Sequence, residues 1–344
     1  MMDAAFKPKL KKILITLGII AAIFTLLVGM YIIGGIYYPE SIQKAYQQKD
    51  CETVLRSYDI ITRLYPYRSL QENTTGLALE CALYKNAKKL QDAGQWQEAY
   101  KTYKTCAATY PAGFLAEDAQ EQAATSLLMQ AQEQQEQKKY TEAIETTKQV
   151  MAEYPSRADA INRYAEVHLS WSSEYQLREE FQAAEDVLLS LLEWGTAGQY
   201  DEHIAKSQTA LSDLYLAWGE NHQNAGELAP AMVKYRQAVD AAPDSASANR
   251  AVEKQVEILL MQGNTYRDAG NYQAAIDAYQ RGVPDADELG RDSLHTATAQ
   301  AYLAWAKHNV EREDYYQALE KVESAANLPL SETVDREVEA SQQE

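Results

Sequence analysis

Apolar and polar positions over residues 39–330 keep a helical spacing that short polar breaks interrupt at regular intervals. Around one break the marked residues are Leu259, Gly263 and Tyr266 before it, and Tyr272, Ala275, Tyr279 and Gly282 after it. Steps of three and four put such residues on one helix face, so each unit predicts two helices joined by a tight turn. The phrase at the break returns every 41 to 47 residues. It is plainest in Gly94-Gln-Trp-Gln-Glu-Ala99, Lys138-Lys-Tyr-Thr-Glu-Ala143 and Gly270-Asn-Tyr-Gln-Ala-Ala275: a turn residue, an aromatic, and Ala three residues later. Weaker copies stand at 179–184, 226–231 and 314–318, and a degenerate first copy at 50–54. Small residues such as Gly263 and Ala275 allow two antiparallel helices to approach closely. Pro66, Pro111, Pro155, Pro243 and Pro329 each stop a second helix and force the chain to turn. A period of this length means stacked helical hairpins, a quasi-one-dimensional array.

Ahead of the array the pattern changes. Lys7, Lys9, Lys11 and Lys12 precede residues 13–38, which carry no charge over 26 positions. As a helix this stretch reaches about 39 Å, enough to cross a hydrocarbon core of about 30 Å with some tilt. Tyr31, Tyr37 and Tyr38 fall at its far end, where interfacial aromatics belong. A cleaved signal peptide is the rival reading. Its apolar region would be about 7–15 residues and end in a small-x-small site, whereas this one ends in Ile-Gly-Gly-Ile-Tyr-Tyr. The lysines favour a cytoplasmic N-terminus and an array on the extracytoplasmic side. The expected division is a basic tail over 1–12, a transmembrane helix over 13–38, the array over 39–330, and a capping helix and tail over 331–344. The array is expected to start a helix at Pro39-Glu40, and Ser331 to cap a last helix over 332–340 with Val334 and Val338 as its apolar stripe.

The repeats resemble tetratricopeptide repeats. The fifth carries Tyr215, Trp218-Gly219, His222, Leu228, Ala231, Tyr235, Ala238 and Pro243; the seventh carries Tyr302, Trp305-Ala306, Tyr315, Ala318, Ala325 and Pro329. The fourth shows the pattern through His168, Trp171-Ser172, Tyr175, Phe181 and Ala184. The resemblance implies an all-α chain: one N-terminal transmembrane helix followed by an α-solenoid of about seven TPR-like hairpins. It departs from the family in length, about 44 residues against the usual 34 or so. The distance from turn to Pro stays at 15 residues from Trp96 to Pro111 and from Tyr140 to Pro155, so the extra length falls in the first helix of each pair.

In that family the first helices line a concave binding face, and the same spacing carries the positions over. Leu128, Leu169, Leu216, Leu260 and Leu303 occupy one position in five successive repeats, with Tyr84 at that position in the second. Asp213, Glu257, Arg267 and Lys307 stand beside them as polar members. Two readings compete for the ladder: apolar anchors in a groove that binds proteins or peptides, or core leucines tucked against the next helix. Trp171, Trp218 and Trp305 share another position and are expected to pack between adjacent hairpins.

Charge and chemistry narrow the function. Beyond residue 38 the 28 basic and 49 acidic residues give the body a net charge of −21, against −18 for the whole chain, which disfavours nucleic-acid partners. Cys51, Cys81 and Cys106 fall at one level if the hairpins turn near Pro66 and Gly94, so Cys81–Cys106 or Cys51–Cys81 is a candidate disulfide with one thiol left free. No Cys-x-x-Cys, His-Glu-x-x-His or glycine-rich phosphate loop is present. The sequence therefore implies no enzyme, cofactor or metal. It points to a membrane-tethered scaffold in a bacterial envelope whose partners are proteins or peptides, with the bilayer engaged through 13–38. A fixed structural subunit of an envelope complex for secretion or polysaccharide export is the alternative.

Overall fold

The computed structural model describes residues 6–65 and 68–330, with side chains from residue 11 onward. Pro66 and the expected capping helix over 332–340 lie outside the described residues. Within them the chain is helical, without strands, and forms two compact units, Met1–Tyr164 and Ala165–Glu344. The first holds α1 (Phe6–Gln47), α2 (Cys51–Leu64), α3 (Arg68–Asp92), α4 (Trp96–Thr109), α5 (Ala116–Glu136) and α6 (Tyr140–Glu153). Helix α7 (Ala158–Leu177) runs across the division. The second unit continues with α8 (Phe181–Gly198), α9 (Asp201–Asn224), α10 (Leu228–Ala241), α11 (Ala246–Asp268), α12 (Tyr272–Gln280), α13 (Glu288–Glu311) and α14 (Tyr315–Ala326).

The extra repeat length lies where the sequence puts it. Helices α3, α5, α7, α9, α11 and α13 run 20 to 25 residues, while α2, α4, α6 and α10 each run 14. Every hairpin turn among the described residues contains one residue in the left-handed region: Lys49, Gly94, Lys138, Glu179, Gly226, Gly270 and Glu313, with φ between 58° and 78°. The next residue donates its backbone N–H to a carbonyl five positions back, as Gln95 does to Leu90 at 2.9 Å and Glu227 to His222 at 2.9 Å. This is the helix-ending geometry that glycine adopts without strain, yet four of the seven positions are Lys or Glu.

The second helices stop by a different device. Tyr65, Tyr110, Tyr154 and Ala242 each precede a proline, which disfavours the helical conformation, and all four take ψ between 61° and 83°. Helix α8 has no proline after it, runs 18 residues, and ends instead on left-handed Gln199.

The alanine of each turn phrase sits at the centre of its hairpin: Ala99, Ala143, Ala184, Ala231 and Ala275 are fully buried. Close approach is visible at Gly219 and Gly263, where an added Cβ would run into the rings of Tyr235 and Tyr279. Those rings are fully buried, and their hydroxyls donate to Gln223 at 2.6 Å and Asn264 at 2.8 Å. Tyr103 does the same to Gln91 at 3.0 Å.

Two features of the first unit differ from expectation. Helix α1 does not restart at Pro39 but runs through it as one 42-residue helix. Pro39 lacks an N–H, so the Gly35 carbonyl loses its helical donor while the axis continues. The disulfide joins Cys51 to Cys81, with Cα atoms 5.0 Å apart, and Cys106 is the free thiol, so the Cys81–Cys106 pairing is not formed. Level allowed both pairings and face decided between them. Cys81 packs into the cluster of Ile42, Val54 and Ile61, whereas Cys106 belongs to the neighbouring cluster around Tyr103 and Leu127.

Candidate protein-binding surface

The first helices carry the positions from which a binding face would be built, and most of the apolar ones are occupied by packing. Leu128 and Leu216 are buried, and Leu169, Leu260, Leu303 and Tyr84 are half-buried. Each belongs to, or packs against, a core cluster of its own unit. The leucine ladder is therefore core rather than an open row of anchors. A 20-residue helix offers more surface than its partner can cover, and the next hairpin takes up the remainder.

The polar members are placed differently. Asp213 is exposed and accepts a hydrogen bond from the Ser247 hydroxyl. Glu257 is exposed and pairs with Lys254 at 2.7 Å on the same helix. Arg267 is half-buried, contacts Asp268 at 3.1 Å and reaches Gln300 of α13 at 3.5 Å. Lys307 is exposed beside Leu303 and Val310. These groups brace one hairpin against the next as much as they face solvent.

Trp218 and Trp305 pack between hairpins, while Trp171 stacks on Tyr175 of its own helix with centroids 5.8 Å apart. Phe181 of α8 stacks on Trp218 of α9 with centroids 5.7 Å apart, and the Lys234 ammonium of α10 lies 3.3 Å from the centroid of the Trp218 ring. Burial lowers the pKa of Lys234 from the usual lysine value. Tyr272, Trp305 and Lys321 repeat this arrangement with ring centroids 6.1 Å apart and the ammonium 4.4 Å from the indole. In the first unit Trp96 uses its indole N–H instead, donating to Glu133 at 2.7 Å.

Open hollows lie within each unit among the described residues. One of about 560 Å³ lies between α7 and α9, lined by Ser173, Gln176, Leu177, Glu179, Phe181, Ala217, Glu220, Asn221 and Asn224. Ser173 and Gln176 follow Leu169, and Glu220 follows Leu216, at steps of four and three residues, which puts them on the same helix faces as the leucine ladder. Leu177 is 83% exposed at its rim, an apolar residue that no packing claims. A second, about 460 Å³, lies between α2 and α3 and gathers Lys85, Lys88 and Lys89 in an otherwise acidic chain. The third, about 750 Å³, lies on α13 and α14, where Val310, Tyr315 and Leu319 are about half exposed or more. Sequence spacing pointed to the first-helix half of this last one through Leu303 and Lys307, and missed Tyr315 and Leu319, which come from the second helix of the pair.

Stacked hairpins whose work is done on faces rather than in a pocket define an α-solenoid interaction scaffold. The family model described as "Tetratricopeptide repeat" matches two stretches of the chain, residues 125–156 and 257–281. Both matches begin inside a long first helix, at the ninth or later residue of α5 and α11, and end just beyond the second helix. The added turns at the start of each first helix thus fall outside the family pattern. No curated protein sequence matches the chain. Among solved structures, a tetratricopeptide repeat protein from Parabacteroides merdae is 14% identical, covering 77% of this chain and 99% of that chain, with a TM-score of 0.23. BtubC (BKLC) from P. vanneervenii is 11% identical, covering 75% and 92%, also at 0.23. The Naa15/Naa10 assembly bound to HypK-THB is 12% identical, covering 90% and 66%, at 0.17.

Proposed function

We propose that this chain is a membrane-tethered scaffold that displays its repeats on the extracytoplasmic side and binds exported proteins or peptides through its first-helix faces. The observation that carries this reading is the hollow between α7 and α9. It is open, mixed in polarity, built from repeat positions that bind ligands in this architecture, and rimmed by an exposed Leu177. The tether is supported by α1: residues 11–28 are exposed along their whole length, so this apolar helix is not a core helix of the array. The positive residues before it favour a cytoplasmic N-terminus. Assistance in assembly or quality control of exported proteins in a bacterial envelope follows from this topology by analogy of fold.

The test is in-cell crosslinking of the full chain with a photoreactive residue at Leu177 or at Glu220. The leucine ladder is unsuitable for this, because its members are packed. Several different exported proteins captured at these positions support a client-binding scaffold. A single abundant partner supports a second reading, a fixed subunit of an envelope complex. The observation that favours the second reading is the apolar hollow on α13 and α14, where Tyr315 is 65% and Leu319 52% exposed.

A further inference from the structure

We infer that the C-terminal end of α2, at Leu64, is a second membrane contact, seated in the outer interface of the bilayer beside the anchor helix. The inference rests on the reading of residues 13–38 as the anchor. Residues 13–38 reach about 39 Å, roughly 9 Å more than the hydrocarbon core they would cross. With Lys11 and Lys12 held at the inner surface, hydrocarbon ends near residue 32, and Tyr31–Tyr38 occupy the outer interface.

Helix α2 folds back along this part of α1. It has 14 residues, so an antiparallel course from the turn at 48–50 brings its end opposite residue 33 or so. The contacts agree: the Tyr65 ring stacks on Tyr31 with centroids 4.7 Å apart and lies 6.1 Å from Tyr38. It fills the notch at Gly34 and Gly35, where an added Cβ at Gly34 would collide with the tyrosine hydroxyl. One face of α1, residues 31, 34, 35 and 38, is therefore covered by protein at the very level where the outer leaflet begins, while Ile32, Ile33 and Ile36 remain exposed. Leu64, beside Tyr65, is 58% exposed at the same level. Exposed Arg63 and Arg68 flank it at headgroup height, each paired with a carboxylate at 2.8 Å, Asp59 and Glu72. An exposed leucine between exposed arginines, held against α1 by the buried Tyr65, is the composition that an interfacial site takes. The consequence is orientation: two contacts fix the tilt of the first hairpin against the membrane, where a single helix would leave it free to swivel.

The experiment places a nitroxide at Leu64→Cys in the full chain carrying Cys106→Ala, reconstituted in phosphatidylcholine–phosphatidylglycerol vesicles. Collision rates with oxygen and with a water-soluble nickel chelate are compared with those at Phe24→Cys and at Lys101→Cys, an exposed position of α4. The expected result is a loss of nickel collisions and a gain of oxygen collisions at 64 relative to 101, intermediate between 101 and 24. A label at 64 as open to nickel as the label at 101, with 24 in hydrocarbon, overturns the interfacial contact and leaves the anchor standing. An aqueous signal at 24 as well overturns both.

Discussion

At the residue scale the repeats depend on single backbone positions more than on side-chain contacts. Glu313 holds a left-handed conformation at φ 61° and is exposed, whereas Gly226 holds the same place at 78° with nothing near its missing Cβ. A non-glycine residue there costs about 1 kcal/mol in the folded state. Glu313→Gly is therefore expected to stabilise the α13–α14 hairpin by up to about 1 kcal/mol, and Gly226→Ala to destabilise its hairpin by a similar amount. Urea unfolding checks both. Asp118 shows a residue-scale effect of another kind. Burial pulls its pKa up, but hydrogen bonds from Lys49 at 2.8 Å and from the Tyr84 hydroxyl outweigh it and hold the carboxyl below its ordinary value. A depressed acid contributes stability that is present above the unfolded pKa, near 4, and lost as pH falls through the lower folded value. Asp118→Asn should lower the thermal midpoint at pH 7, and the difference from wild type should shrink as pH falls through the depressed pKa of the folded carboxyl.

At the element scale the joints between hairpins carry the packing. Trp218 is held between Phe181 from the preceding pair and Lys234 from its own second helix. Removing the indole opens a cavity at a joint and leaves Lys234 without its aromatic partner, so Trp218→Ala is expected to cost about 3–5 kcal/mol. Hydrogen exchange would report the loss as faster opening of α8 through α10, with less effect on helices remote from that joint, as nearest-neighbour coupling in an array requires. The buried Glu80 makes the corresponding joint in the first unit. It accepts from the Leu115 N–H at 3.0 Å and from the Tyr46 hydroxyl, which in turn accepts from the Phe114 N–H at 2.7 Å. Burial and the Glu80 carboxylate push Tyr46 up to about 12.

At the scale of the whole molecule the first hairpin is the most heavily secured, by the Cys51–Cys81 bond and by the Tyr65 contact with α1. Closing a loop of 30 residues removes unfolded-chain entropy worth about 3–4 kcal/mol. Reduction should therefore loosen α2 and α3 selectively, seen as protease sensitivity between them, while α9 to α14 stay protected. Cys106 should resist alkylation in the folded chain, because burial pushes its thiol up to about 11 and it is fully enclosed. Binding is also a matter of this scale. Glu220→Arg at the α7–α9 hollow gives up the pair with Arg250 at 2.9 Å, at a cost of about 1 kcal/mol or less, and is expected to shift the set of proteins crosslinked at Leu177.

The sequence by itself determined the solenoid, the hairpin count and the place of the extra length. Each of these depends on local spacing: an aromatic and an alanine three apart, a proline at a constant distance, no breaker across a long first helix. What repeats along the chain is legible because each hairpin faces the same local problem as the one before. The tertiary structure decided which face of Cys81 met a partner, whether the leucine ladder was open, and that α1 passes Pro39 without a break. It also decided where surface remained uncovered, at Leu177 and on α13 and α14. These depend on the rotation of one helix about its axis relative to its neighbours. Periodicity gives a residue's level and face on its own helix, but only packing states what stands opposite that face.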